Sequence, residues 1–69
     1  MVTIGKKLKE LRKAEKLTQT QLAETLHLSR VNYTRYETDA SRPDYETLIL
    51  ICDFYKISLD ELFGRTYGY

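Results

Sequence analysis

Apolar residues recur along this chain at helical intervals. Ile4, Leu8 and Leu11 are spaced four and three residues apart, which places them on one stripe of a helix. Thr3 precedes the stripe and can cap the N-terminus of that helix. No alternation of apolar and polar residues persists beyond a few positions. The pattern therefore predicts an all-α chain.

Two short helices joined by a tight turn are predicted next. Thr18 and Gln21 have the spacing of a capping box, in which each side chain accepts a hydrogen bond from the other residue's amide. The helix that follows buries Leu22 and Leu26 and ends near His27, where a left-handed backbone is often needed.

The third predicted helix begins at Ser29, whose hydroxyl can cap it. Tyr33 and Tyr36 are three residues apart and are predicted to face the core. The residues that then face solvent are Arg30, Val31, Thr34 and Arg35. This helix therefore presents a small basic side on the surface.

Two more helices are predicted in the last third of the chain. Asp44 follows Pro43 and can cap a helix whose core stripe includes Ile51. A second capping box opens a short fifth helix, which is predicted to bury Leu62 and Phe63. No linker is long enough to divide domains, so we expect one domain over residues 1–64 and a short tail over 65–69.

Composition and charge narrow the classes of function. The 69 residues allow one domain at most, and the single cysteine, Cys52, favours a reducing compartment. No apolar run approaches the roughly 20 residues that cross a bilayer, and the N-terminus lacks a signal peptide's apolar run. We therefore expect a soluble cytoplasmic protein with no membrane partner.

The net charge of +1 hides an uneven distribution. Residues 1–42 carry nine Lys/Arg and five Asp/Glu, whereas residues 43–69 carry two and five. The first part is therefore +4 and the second −3. A basic face can meet phosphate while an acidic face stays in water or meets a partner, although the lysines of the first helix also fit a plain solvated face.

Sequence motifs of catalysis and metal binding are absent. There is no Gly-rich phosphate loop, no His-Glu-x-x-His and no pair of cysteines. His27 is the only histidine and has no companion ligands, and Cys52 lies on an apolar stripe as a small hydrophobe does. We therefore expect no enzyme, no bound metal, no cofactor and no small-molecule ligand.

In order and spacing, several segments together resemble the Cro/repressor-type helix-turn-helix family, also called the XRE family. The matching segments are residues 4–13, 17–26, 28–30, 35–37, 42–48 and 57–64. The resemblance implies a compact five-helix, lambda-repressor-like domain in which the second and third helices form the helix-turn-helix. It also implies that the third helix, about residues 29–37, enters the major groove of DNA.

The resemblance implies roles for individual residues as well. The residues expected to contact bases are Arg30, Val31, Arg35 and Asn32. The residues expected to contact phosphates are Gln19, Thr20, Ser29, Thr34 and Arg42. Arg12 and Glu37 match a structural pair that ties the first helix to the end of the third. Arginine can make a bidentate contact with guanine, and a valine can touch a thymine methyl group; the alternative for Arg30 and Arg35 is solvated surface charge.

This sequence departs from the family pattern at four positions. His27 and Asp39 stand where the family usually has glycine, so each is mildly strained if its backbone has a positive φ. Tyr33 replaces an aliphatic residue, and we expect it to tilt the third helix or reach the DNA backbone. Leu50 replaces a polar residue on the fourth helix.

Two functional hypotheses follow from these patterns. The first is sequence-specific binding of double-stranded DNA by a homodimer on a palindromic operator, as a transcriptional repressor or activator, with half-sites about 34 Å apart. The expected dimer interface comprises Leu50, Leu59, Phe63 and Tyr67, unless Leu59 and Phe63 belong to the core. The second hypothesis is a protein-binding module, such as an antitoxin-like or adaptor partner.

Overall fold

The computed structural model describes residues 3–63, and every regular element within them is a helix. The helices are α1 (Ile4–Ala14), α2 (Gln19–Thr25), α3 (Arg30–Glu37), α4 (Tyr45–Tyr55) and α5 (Leu59–Leu62). The predicted all-α architecture of five helices is therefore confirmed. Gly64 and the expected tail over 65–69 lie outside the described residues.

A polar side chain caps the start of every helix. The capping residues are Thr3, Thr18, Ser29, Asp44 and Ser58, and each accepts a hydrogen bond from the backbone amide three residues later. Thr18 and Ser58 form complete capping boxes, as their spacing predicts. Such caps contribute about 0.5–2 kcal/mol each, which matters for helices too short to be stable alone.

Four helices end in the same left-handed turn. The residues with positive φ are Lys16 (59°), His27 (58°), Asp39 (62°) and Lys56 (57°). The amide that follows each of them donates to the carbonyl five residues earlier, which is the hydrogen bond of a Schellman motif. Positive φ at His27 and Asp39 was expected from the family's glycines, whereas no sequence signal indicated Lys16 or Lys56.

Every helix contributes to one core. The fully buried large side chains are Leu8, Leu22, Tyr33, Ile51 and Leu62, one from each helix. Phe63 was predicted to be buried with Leu62, but it is 43% exposed, so that prediction is wrong. The reason is that α5 ends at Leu62 after four residues, so Phe63 follows the helix as its C-cap.

Tyr33 lies wholly inside the domain. Its ring packs edge-on against Tyr36, with 6.5 Å between ring centroids and 84° between planes. Burial, followed by the nearby Glu37 carboxylate, raises the pKa of Tyr33 well above its usual range. The expectation that Tyr33 reaches the DNA backbone is wrong, because its side chain has no exposed surface.

Candidate nucleic-acid interface

The helix-turn-helix is formed by α2 and α3 and the turn between them. The inner side of α3 packs against both α1 and α2. The turn reverses direction at His27, and Leu28 then packs against the core before Ser29 caps α3. The opposite side of α3 carries exposed residues and forms part of the surface.

The four residues predicted to contact bases share that outer side. Arg30, Val31, Asn32 and Arg35 are all exposed. Val31 is 61% exposed and is the one apolar residue among these four. An apolar residue flanked by two arginines and an amide suits the edges of base pairs, where guanine acceptors and thymine methyl groups lie side by side.

The residues predicted to contact phosphates lie in two environments. Thr20, Ser29 and Arg42 are exposed, at the start of α2, at the start of α3 and in the loop before α4. Gln19 and Thr34 are half-buried and face each other across the helix-turn-helix. The Thr34 hydroxyl donates to Gln19 Oε1 over 2.8 Å.

A carboxylate at the end of α3 joins the first three helices. Glu37 accepts from Arg12 Nε at 2.6 Å and from Arg12 Nη2 at 3.1 Å. Gln19 Nε2 donates to the same carboxylate over 3.0 Å. Arg12 also donates through Nη1 to the Leu17 carbonyl over 2.9 Å. The structure thus brings Arg12 and Glu37 together and adds Gln19 as a third member, which the sequence did not indicate.

This cluster remains charged despite its burial. Burial alone would raise the pKa of Glu37, but hydrogen bonds from Arg12 and Gln19 outweigh it and hold the pKa below its usual value. The hydrogen bond to Glu37 raises the pKa of Arg12. The ionised pair joins α1 to α3. Separation of the two helices would leave each buried charge without its partner, which is costly, so the pair fixes the angle of α3 relative to α1.

The position of Gln19 affects its expected role. Both polar ends of its side chain are engaged within the protein, one by Glu37 and the other by Thr34. Its contact with phosphate therefore remains a prediction. The same interactions make Gln19 a link between α2 and α3.

The loop after α3 is anchored to the start of α1. Asp39 Oδ1 accepts from the Gly5 amide over 3.0 Å. A Cβ atom at Gly5 would lie 2.5 Å from the Glu37 carbonyl oxygen and 2.7 Å from that of Tyr36. Only glycine lets the two backbones approach this closely, so the end of α3 rests directly on α1.

The expected dimer residues are only partly on the surface. Leu50 is 45% exposed and Phe63 is 43% exposed, whereas Leu59 packs against the core. Tyr67 lies outside the described residues. The outward side of α4 carries further apolar residues, which we call the α4 apolar face: Tyr45, Ile49, Leu50 and Phe54. Of these the sequence pattern indicated only Leu50.

The described residues offer little else for chemistry. In residues 3–63 no group of His, Cys, Asp and Glu side chains is arranged to hold a metal ion. Cys52 is buried, and burial raises the pKa of its thiol. None of the helices in this part of the chain has the length and apolar character needed to cross a membrane.

The packing of α2 against α3, with an exposed basic side on α3, defines a helix-turn-helix domain. The chain belongs to the helix-turn-helix family of the Cro/repressor, or XRE, type: the family model described as "Helix-turn-helix" matches residues 8–62.

Individual relatives and a solved structure agree with this family. The chain is 38% identical over 64 residues to the HTH-type transcriptional regulator ImmR of Bacillus subtilis (strain 168), covering 93% of this chain and 50% of ImmR. It is 40% identical over 62 residues to the cryptic phage CTXphi transcriptional repressor RstR of Vibrio cholerae serotype O1, covering 90% of this chain and 55% of RstR. A crystal structure of a transcriptional regulator from Listeria innocua superimposes with a TM-score of 0.85 at 28% identity, covering 97% of this chain and 63% of that one. The chain thus spans about half the length of these two curated relatives.

Proposed function

We propose that this domain binds double-stranded DNA sequence-specifically by inserting α3 into the major groove, and that it regulates transcription in this way. The observation that carries the proposal is the outer side of α3, where Arg30, Val31, Asn32 and Arg35 are exposed together. A helix in the major groove reads base edges with side chains of this kind. Behind it, the Arg12–Glu37 pair holds α3 rigidly against α1.

Phosphate contacts complete the proposed interface. Thr20, Ser29 and Arg42 are exposed around α3 and are proposed to contact the DNA backbone, together with Gln19 and Thr34. Contacts of this kind set the register of a protein on the duplex without reading its sequence. The excess of positive charge in residues 1–42 supports this orientation, because it lies on the part of the chain that contains α1, α2 and α3.

The sign of regulation and the compartment follow as parts of the same proposal. We propose that the protein is a repressor. This is the simplest mode of action, because a protein bound at a promoter excludes other proteins from it. The name of the Vibrio cholerae relative supports this choice. A DNA-binding role also places the protein with the DNA, which we propose to be in the cytoplasm.

We further propose that two copies bind a palindromic operator as a homodimer. Leu50 and Phe63 expose apolar surface that a second copy can cover. The other two proposed interface residues are Leu59, which packs against the core, and Tyr67, which lies outside the described residues. Two-fold symmetry would place the two α3 helices in successive major grooves about 34 Å apart.

A protein-binding module is the second candidate function. The observation that favours it is the α4 apolar face, which includes Tyr45 at 69% exposure and Ile49 at 40%. Apolar residues exposed together mark interfaces with other proteins. On this alternative α4 would carry the activity, and α3 would be an ordinary solvated helix.

Selection of bound duplexes from a random library tests the first proposal. We expect an enriched palindromic sequence, and an affinity that falls steeply with salt because phosphate contacts release counterions. The double variant Arg30→Ala/Arg35→Ala should enrich no duplex. The control Lys56→Gln, which removes one charge at the end of α4, should enrich the same DNA sequence as the wild-type protein. A library that returns no enriched sequence with wild-type protein would refute sequence-specific binding and favour the α4 alternative.

Sedimentation of the protein with and without the selected duplex tests the homodimer. We expect two copies on each duplex, and weaker assembly for Leu50→Glu with unchanged thermal stability, since Leu50 is half-exposed. A single copy on the full palindrome at high micromolar protein would reject the dimer and leave the DNA-binding proposal in place.

A further inference from the structure

One of the proposed base-contacting residues is held by a side chain outside α3. Arg35 Nε donates to Ser41 Oγ over 3.0 Å. Arg30 has no comparable restraint, since its guanidinium makes no hydrogen bond to any residue in the range 3–63. The two arginines on the outer side of α3 therefore differ in how far their orientation is fixed before any ligand arrives.

Ser41 is itself fixed relative to Arg35. The Arg35 carbonyl accepts from the Ser41 amide at 3.3 Å and from the Ala40 amide at 2.9 Å. The Thr38 hydroxyl donates to the same carbonyl over 3.2 Å. Ser41 thus contacts both the backbone and the side chain of Arg35, which closes a small ring of interactions at the end of α3.

The loop that carries Ser41 is also tied to the rest of the domain. Asp39 has a left-handed backbone and accepts from the Gly5 amide, so the loop is anchored on α1 two residues before Ser41. Ser41 is half-buried in this arrangement. A hydroxyl on an anchored loop restrains a long side chain far better than one on a free loop, because the partner has little conformational freedom left to lose.

The geometry points to Ser41 as a positioning residue for Arg35, and we propose that it sets how one base pair is read. This inference rests on the proposed DNA binding by α3. With Nε engaged by Ser41, Nη1 and Nη2 of Arg35 make no hydrogen bond within residues 3–63 and stay available to a ligand. Two parallel N–H groups match the O6 and N7 acceptors of guanine in the major groove.

A change at Ser41 should affect discrimination between base pairs but not the general affinity for DNA. Removal of its hydroxyl leaves the charge of Arg35 intact, so attraction to phosphate and affinity for unrelated duplexes should be preserved. The guanidinium would then adopt several orientations, and the ordering cost would fall on the specific complex alone. Discrimination at the base pair read by Arg35 should therefore weaken, while discrimination at the pair read by Arg30 should not.

The test uses the duplex selected by the wild-type protein, its single-base-pair variants and a random-sequence duplex of equal length. The base pair whose discrimination is lost in Arg35→Ala identifies the position that Arg35 reads. At that position we expect Ser41→Ala to lower discrimination by about 3- to 10-fold, the effect of losing one hydrogen bond. We expect Ser41→Thr, which keeps the hydroxyl, to retain it.

A double-mutant cycle with Arg35 completes the experiment. Ser41→Ala should change nothing further in the Arg35→Ala background, because its effect passes through that side chain. An equal loss of affinity for every duplex, or the same loss in both backgrounds, would show that Ser41 only supports the loop and would overturn the inference. Unchanged discrimination in Ser41→Ala would overturn it too. If wild-type protein selects no duplex at all, the proposed function fails first, and the inference fails with it.

Discussion

Arg12 and Glu37 form a two-point ion pair from the last turn of α1 to the last residue of α3. The Arg12 Nε and Nη2 atoms lie 2.6 and 3.1 Å from the two carboxylate oxygens. The side chain of Glu37 is only 2% exposed and that of Arg12 is 11% exposed. A pair this sheltered can hold two helices in one relative orientation, and here it holds the helix that is proposed to read DNA.

Loss of one partner from this pair should be costly. Arg12→Ala would leave the Glu37 carboxylate buried with Gln19 as its remaining amide donor, and we expect a loss of about 3 kcal/mol in the free energy of unfolding, near the lower end for a broken buried pair. Urea unfolding would measure it. Lys13→Ala, at an exposed neighbouring position, is the control and should change little. Equal stability of the two variants would show that the pair contributes nothing.

The stability of the domain should fall in acid partly through Glu37. Its pKa is lowered in the folded state, so it binds protons more weakly there than in the unfolded chain. Its contribution is therefore fully present above the unfolded pKa of about 4.3 and is lost as pH falls through the folded pKa. We expect unfolding free energies measured from pH 7 to pH 3 to drop less steeply in Glu37→Gln.

Asp44 provides the matched comparison for that experiment. Hydrogen bonds from Thr47 lower the pKa of Asp44 as well. The free energy of unfolding of Asp44→Asn should therefore also fall less steeply from pH 7 to pH 3 than that of the wild type. Because Asp44 is exposed at a helix cap and Glu37 is buried, the variant at Glu37 should also lose stability at pH 7. If the unfolding free energy of Glu37→Gln fell as steeply from pH 7 to pH 3 as that of the wild type, the lowered pKa of Glu37 would be contradicted.

Two left-handed residues, His27 in the turn of the helix-turn-helix and Asp39 after α3, should respond differently to glycine. His27→Gly removes the strain of a side chain at positive φ, and we expect a net gain of about 0.5–1 kcal/mol after the greater flexibility of the unfolded chain is allowed for. Asp39→Gly removes the same strain but also the acceptor of the Gly5 amide, so we expect a net loss. Thermal unfolding of both variants distinguishes these effects. A similar gain in both would mean that the Asp39 carboxylate does not anchor the loop.

Gly5 should tolerate no side chain. Gly5→Ala places a Cβ atom 2.5 and 2.7 Å from two carbonyl oxygens at the end of α3, and backbone atoms cannot rotate away. We expect a loss of about 1–3 kcal/mol in unfolding free energy, despite the higher helix propensity of alanine. Lys6→Ala, at the adjacent exposed position, should be close to neutral. The prediction fails if Gly5→Ala is as stable as Lys6→Ala.

The two exposed arginines of α3 should carry sequence preference. We expect Arg30→Ala and Arg35→Ala each to weaken binding to the selected duplex by about 1–3 kcal/mol and to relax the preference at one base pair each. Fluorescence anisotropy at fixed salt would measure both effects, with Lys56→Gln as the charge control. If both variants bound the selected duplex as tightly as the wild type, these arginines would be solvated surface charges and the site would lie elsewhere.

Most helix boundaries could be predicted because the interactions that create them are local. The caps at Thr18, Ser29 and Ser58 each join a side chain to an amide three residues away, so a short window of sequence contains both partners. The apolar stripes carry comparable information about which side of a helix is buried. Lys16 and Lys56 escaped prediction because lysine gives no signal of a left-handed turn.

The candidate site was only partly predictable. The exposure of Arg30, Val31 and Arg35 follows from the spacing of Tyr33 and Tyr36 on the inner side of the same helix. The pairing of Arg12 with Glu37 came from family resemblance, since no local pattern connects residues 25 positions apart. Neither kind of reasoning indicated that Gln19 bonds to Glu37 or that Ser41 bonds to Arg35.

The sequence by itself therefore determined the helices, their caps and the polar side of α3, because each depends on contacts within about one helical turn. The tertiary structure decided how α3 is held and oriented: Gln19 joins the Arg12–Glu37 pair that family resemblance had indicated, and Gly5 closely approaches the end of α3. Such contacts join distant parts of the chain, and their geometry exists only once the helices have packed.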